Sequence, residues 1–205
     1  MFYRFVHSVI IPLLRLMFRV RVTGRENIPD GPALICANHT AMIDPFVIAV
    51  AFNAKDPLRF MTKGELFRVP VLRSFLKAVG AYPVERGQSD MAALRQSVDT
   101  LKQGGKLLMF PEGTRVKYRG ELPPKPGAAM IAVRAGVPVL PVYLSYPKRL
   151  FRRTTLIFGA PFVPELQAGS GSSEQYRALA ASIHKTVWNL GEPAAPPSGE
   201  GESNP

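Results

Sequence analysis

Two polar clusters follow directly on apolar runs, and each carries residue types that move protons or grip anions. The first, Asn38-His39-Thr40-Ala41-Met42-Ile43-Asp44-Pro45, comes after the apolar stretch Ala33-Leu34-Ile35-Cys36-Ala37. Asp44 followed by Pro45 is the pattern of a helix N-cap and its first helical residue. If the connection folds back, the Asp44 carboxylate accepts a hydrogen bond from one imidazole nitrogen of His39 and leaves the other free as a base. This is the base and its orienting acid from a nucleophilic triad, without the nucleophile. A base of that kind acts on a hydroxyl of the substrate itself, and general-base assistance is worth about 10²–10⁴ in rate. The competing reading is that Asp44 merely caps its helix.

The second cluster is Phe110-Pro111-Glu112-Gly113-Thr114-Arg115, after the run Lys106-Leu107-Leu108-Met109. Pro111 stops a strand, and Gly113 permits dihedrals that bring backbone close to a ligand. Arg115 offers a fork for phosphate, and Glu112 is placed to hold that arginine or another. A surface turn with an ion pair is the plainer alternative. Lys63 and Arg86 complete the candidates, each following an apolar run, and each alone equally well a solvated cation.

The elements that must position these residues alternate in type. Residues 33–37, 58–61, 81–84, 106–110, 137–144 and 154–158 read as strands, several continuously apolar as strands covered on both faces are. Residues 45–53, 71–79, 89–103, 127–135 and 174–190 read as helices. The expectation is an α/β layered domain with a largely parallel or mixed sheet flanked by helices. Ligands of such sheets gather beyond the carboxyl ends of the strands, where His39, Arg86 and Glu112–Arg115 would converge. The sequence lacks G-x-S-x-G, G-x(4)-G-K-[ST], G-x-G-x-x-G and H-E-x-x-H, and its three histidines are too scattered for a zinc site, so no metal is expected.

Charge narrows the partners. Over 205 residues Lys and Arg outnumber Asp and Glu by 26 to 15, a net +11, which favours an anionic membrane, nucleic acid or a phosphorylated substrate. Residues 191–205 hold three glutamates and no Lys or Arg, and their Pro/Gly-rich composition predicts a disordered tail. At the other end, residues 1–24 are apolar but interrupted by Arg4, Arg15, Arg19 and Arg21. The uncharged stretch there is too short to span a bilayer, and no small-residue cleavage site follows it. It reads as an amphipathic helix in the membrane interface, kinked at Pro12, with Phe2, Phe5, Ile10, Leu14 and Phe18 buried in lipid. The alternative is a helix packed on the domain's own core. Residues 71–77 and the basic run Lys148-Arg149-Leu150-Phe151-Arg152-Arg153 offer two further lipid contacts. The single cysteine, Cys36, forms no intrachain disulfide, which suits a reducing compartment. The organisation expected is thus an interfacial segment (1–24), an α/β domain (25–190) and a tail (191–205).

Taken together, these residues resemble the glycerolipid acyltransferase family, most closely the bacterial 1-acyl-sn-glycerol-3-phosphate acyltransferases. Its His-x(4)-Asp block is matched at 38–45, its second block by Lys63, Leu66, Pro70, Gly80 and Arg86, its Phe-Pro-Glu-Gly-Thr-Arg block at 110–115, and its Val-Pro-Val-x-Pro-Val block at 137–142. The departure within these blocks is Val116, where a serine is common. The resemblance implies that His39, held by Asp44, deprotonates the sn-2 hydroxyl of lysophosphatidic acid. That oxygen then attacks the thioester of acyl-CoA or acyl-carrier protein, a co-substrate rather than a cofactor. It further implies that Lys63, Arg86 and Arg115 hold the acceptor phosphate and that Glu112, Gly113 and Thr114 shape the pocket. The implied location is peripheral or monotopic, on the cytoplasmic face of the cell membrane. Four readings compete: an acyltransferase for another lysophospholipid; a basic nucleic-acid-binding module, which lacks a recognition helix and a stacking platform and is not expected; a catalytically silent membrane- or lipid-binding relative; and a thioesterase whose base activates water.

Overall fold

The computed structural model describes residues 2–52, 58–84, 91–166 and 172–192. Seven strands form one sheet: β1 (Val20–Thr23), β2 (Ala33–Ala37), β3 (Leu58–Lys63), β4 (Ala81–Val84), β5 (Lys106–Met109), β6 (Val139–Leu144) and β7 (Thr154–Phe158). Their order is β1-β7-β6-β2-β5-β3-β4, parallel throughout except for the antiparallel pair β6–β7. The layered, largely parallel α/β expectation holds.

Strand β2 lies at the centre, and all five of its residues are buried. Ala33, Ile35 and Ala37 point into one core and Leu34 and Cys36 into the other, the period-two alternation that lets a continuously apolar run serve two layers. Helices α1 (Phe2–Met17), α2 (Asp44–Ala49) and α3 (Pro70–Ala78) cover the first face. Helices α4 (Met91–Lys102), α5 (Gly127–Ala135) and α6 (Ser173–Asn189) cover the second. Helix α6 starts at a capping box, in which Ser172 and Gln175 satisfy each other's backbone N–H groups. Gly80 (φ +82°) turns α3 into β4, and a Cβ there would come within 2.8 Å of the Leu58 carbonyl, so only glycine fits.

Two expectations are corrected at the amino end. The helix stops at Met17, and Val20–Thr23 pairs in parallel with Thr154–Ile157 as an edge strand, so residues 1–24 are not separate from the domain. Leu14 and Phe18, expected in lipid, are buried in the core at 8% exposure each. Val9, Leu13 and Leu16 instead face outward. The same correction applies to α3, where Leu76 is buried and Leu72 and Phe75 are half-buried while Arg73 and Lys77 stay exposed. Among the described residues, no helix is long and apolar enough to cross a membrane. The expected tail lies outside the described residues from 193 onward.

Candidate active site

The sheet order puts the carboxyl ends of β3, β5, β2 and β6 side by side, because these four strands run parallel. The polar clusters that follow them are therefore neighbours, although up to about a hundred residues separate them in sequence. Cys36 is paired with Met109 in register, so the chains leaving β2 and β5 emerge together.

Beyond β2 the chain is held by Asn38, which is fully buried. Its amide donates to the Leu144 carbonyl at 2.9 Å and accepts from the Leu144 N–H at 2.8 Å, completing the β2–β6 ladder where the backbone turns away. His39 follows, with 13% of its side chain exposed. Its Nδ1 lies 3.0 Å from Asp44 Oδ2, and since an ionised carboxylate only accepts, Nδ1 is the donor, while Nε2 has no hydrogen-bond partner among the described residues. The ring stacks on Phe110 at 4.0 Å, and the His39 carbonyl accepts from Val116 N–H at 2.8 Å, so the cluster after β5 fixes both faces of the residue's position. Only the backbone of Val116 makes this bond, and its side chain is buried.

Asp44 is fully buried, and it is not a helix cap. Ile43 occupies the N-cap, and the Asp44 side chain turns back to accept from Thr40 N–H (2.7 Å), Ala41 N–H (2.8 Å) and His39 on the same oxygen, Oδ2. The other oxygen, Oδ1, lies 2.8 Å from Lys148 Nζ. Burial alone pushes the Asp44 carboxyl up, but the His39 hydrogen bond, the Lys148 charge and contact, and the Ala41 N–H together hold it below the usual carboxylate range. These partners favour the Asp44 anion.

The cluster after β5 points two ways. Glu112 is buried, with Oε1 at 3.1 Å from His184 Nε2 and 3.2 Å from the indole N–H of Trp188, both on α6. That indole is also 2.9 Å from His184 Nε2. Among the described residues Glu112 pairs with no arginine, and it ties the loop to α6 instead. Its Oε2 is buried with no hydrogen-bond partner among the described residues. Gly113 (φ +69°) then reverses the chain, with the Lys125 side chain 3.0 Å from where a Cβ would stand. Thr114 is half-buried and Arg115 is exposed. Lys63, at the end of β3, is exposed as well, and Arg86 lies outside the described residues. Cys36, fully buried, has its thiol pushed up by burial and then by the Glu112 charge, so it is no nucleophile. No group of His, Cys, Asp and Glu among the described residues has the arrangement of a metal site.

Sequence reasoning missed Lys148, which it assigned to a lipid-facing basic run, along with Asn38, His184 and Trp188. The signal for Lys148 was its place just after an apolar strand that ends beside β2.

The assembled arrangement is a buried anion, an imidazole with one free nitrogen, and an exposed guanidinium on the next loop. Residues 19–145 match the family model described as Acyltransferase. The chain belongs to that family. A 1-acyl-sn-glycerol-3-phosphate acyltransferase of Bacillus subtilis is 29% identical over 92% of this chain and 96% of its own length. One from Pseudomonas aeruginosa is 34% identical over 60% of this chain, which spans about half (48%) of that relative. The crystal structure of the 1-acyl-sn-glycerophosphate (LPA) acyltransferase PlsC from Thermotoga maritima superposes with a TM-score of 0.65 at 25% identity, covering 94% of this chain and 84% of that one.

Proposed function

We propose that this acyltransferase moves a fatty acyl group from a thioester to the free hydroxyl of 1-acyl-sn-glycerol 3-phosphate, giving phosphatidic acid. The observation that carries the mechanism is the His39–Asp44 pair, with Asp44 Oδ2 saturated by three donors and His39 Nε2 left open. His39 Nε2 takes the hydroxyl proton as the substrate oxygen bonds to the thioester carbonyl carbon. The tetrahedral adduct then expels the thiolate, which leaves as a thiol with the proton returned by His39. The step needs no acyl-enzyme, since among the described residues no side-chain nucleophile is hydrogen-bonded to His39 Nε2 and the base acts on the substrate's own hydroxyl. Arg115, exposed and next to the residue that bonds the His39 carbonyl, grips the acceptor phosphate with Lys63 and Arg86, and Gly113 and Thr114 shape that pocket. Glu112 serves the pocket from below through His184 and Trp188.

The enzyme works on the cytoplasmic face of the cell membrane, as a peripheral protein. Val9, Leu13 and Leu16 with Arg15 and Arg19 form one part of the docking face. Leu150 and Phe151, with Arg149, Arg152 and Arg153, form the other, and the Phe151 N–H bonds the Met17 carbonyl at 2.6 Å, which joins the two.

The test is incubation of purified protein with a panel of lysophospholipids and with acyl-CoA or acyl-carrier-protein thioesters, products being identified by mass. Phosphatidic acid from lysophosphatidic acid supports the proposal, and comparison of the two donors identifies the thioester used. Free fatty acid released at a rate indifferent to acceptor would show a thioesterase instead.

A further inference from the structure

Lys148 differs from the arginines beside it. Arg149, Arg152 and Arg153 are exposed, whereas the Lys148 side chain keeps only 2% of its exposure. Its Nζ lies 2.8 Å from Asp44 Oδ1 and 2.6 Å from Thr40 Oγ1. An ammonium carries donors and no acceptor, so it donates to the Thr40 hydroxyl and forms an ion pair with Asp44 Oδ1. Burying it is costly unless it is paired, and the pairing here divides the carboxylate cleanly. Oδ2 serves His39 and the two backbone N–H groups, and Oδ1 serves Lys148.

We infer that Lys148 is a positioning residue for acyl transfer, fixing Asp44 and Thr40 and offsetting the carboxylate charge that His39 faces. The inference rests on His39 being the base. A base must be oriented by its partner without being held protonated by it. A lone buried carboxylate 3.0 Å from the ring favours the imidazolium, which accepts no proton. An ammonium on the far oxygen opposes that effect while leaving the orienting hydrogen bond intact. Among the described residues, the titratable groups in contact with Asp44 are His39 and Lys148, and Asp44 is the one in contact with Lys148. Lys148 also donates into Thr40 Oγ1, so the Thr40 hydroxyl hydrogen points away from the lysine.

The experiment is a pH–rate profile of Lys148→Met and Lys148→Gln on lysophosphatidic acid presented in liposomes, with acyl-CoA as donor. For the methionine variant the expected kcat at neutral pH is lower by about tenfold, with both KM values within about twofold. The acid limb of kcat/KM should move up by about one pH unit, with activity recovering as the pH is raised. The glutamine variant keeps a donor without the charge, and should move the limb in the same direction while losing less at the plateau. If the methionine variant does not fold, the limb position in the glutamine variant decides. A curve that is uniformly lowered, with its limb unmoved, overturns the inference and leaves Lys148 a structural residue. His39→Ala separates the two readings: retained turnover there removes the base itself, whereas an inactive His39→Ala with unshifted Lys148 profiles removes only the role of Lys148.

Discussion

The loops that follow β2 and β5 leave the sheet side by side, yet they are built on opposite plans. In Asn38–Asp44 every charged or polar side chain with a chemical role is tied down: Asn38 to Leu144, Asp44 to three donors and a lysine, His39 to Asp44 and against Phe110. In Phe110–Val116 the charge is split, with Glu112 sunk under α6 and Arg115 left outside. Under the proposed mechanism the contrast follows from the tasks. A proton transfer tolerates little error in position, so its loop is over-determined. A phosphate is recognised by a guanidinium that must first meet it in water, so that loop is anchored by one end and open at the other.

Several substitutions test whether this division holds. His39→Ala should give the largest effect, a loss of about 10²–10⁴ in turnover with retention on anionic liposomes unchanged. Unchanged turnover would place the proton transfer elsewhere. Asp44→Asn should cost nearly as much in rate, and it also carries a signature in stability. The folded-state pKa of Asp44 lies below its unfolded value, so its contribution is complete above the ordinary carboxylate pKa and is lost as the pH falls through the folded one. Unfolding followed against pH should therefore show a shallower acid decline in the asparagine variant than in the parent, and an equally steep one would contradict the burial described. For the open loop, Arg115→Ala should raise the KM for the phosphate-bearing acceptor by about tenfold or more and leave that for the thioester nearly unchanged. Equal changes in both would mean that Arg115 does not distinguish the two substrates. The smallest effect on turnover is expected from Trp188→Phe, which removes a donor to Glu112 from outside the site. Its expected cost is about 1–3 kcal/mol in urea unfolding, with only a modest fall in kcat.

Much of this was legible in the sequence where local chemistry and periodicity agree. The all-apolar run 33–37, the strands 81–84 and 154–158 and the helix 127–135 lie within the limits read for them, because each is bounded by residues that end it. The His39–Asp44 spacing was legible too, since four residues of short connection suffice to bring the two together. What escaped depends on which neighbour arrives from far along the chain. Lys148 and Arg149 are adjacent cations of similar propensity, and only the pairing of β6 with β2 sends one inward to Asp44. Glu112 looked like a partner for arginine because His184 and Trp188 come more than seventy residues later. Val20–Thr23 was absorbed into an apolar amino end because an edge strand of four residues has too little pattern to stand out from a helix beside it.

The connector between β6 and β7 has one further consequence. At Lys148 it reaches Asp44, and three residues later, at Phe151, it is bonded to the end of α1. The length of chain between those two points is therefore constrained. Adding or removing a single residue there would pull the ammonium off its carboxylate or break the backbone bond from Phe151 to Met17. A scan of insertions along this stretch would thus mark out a mechanical link between the end of α1 and the His39–Asp44 pair.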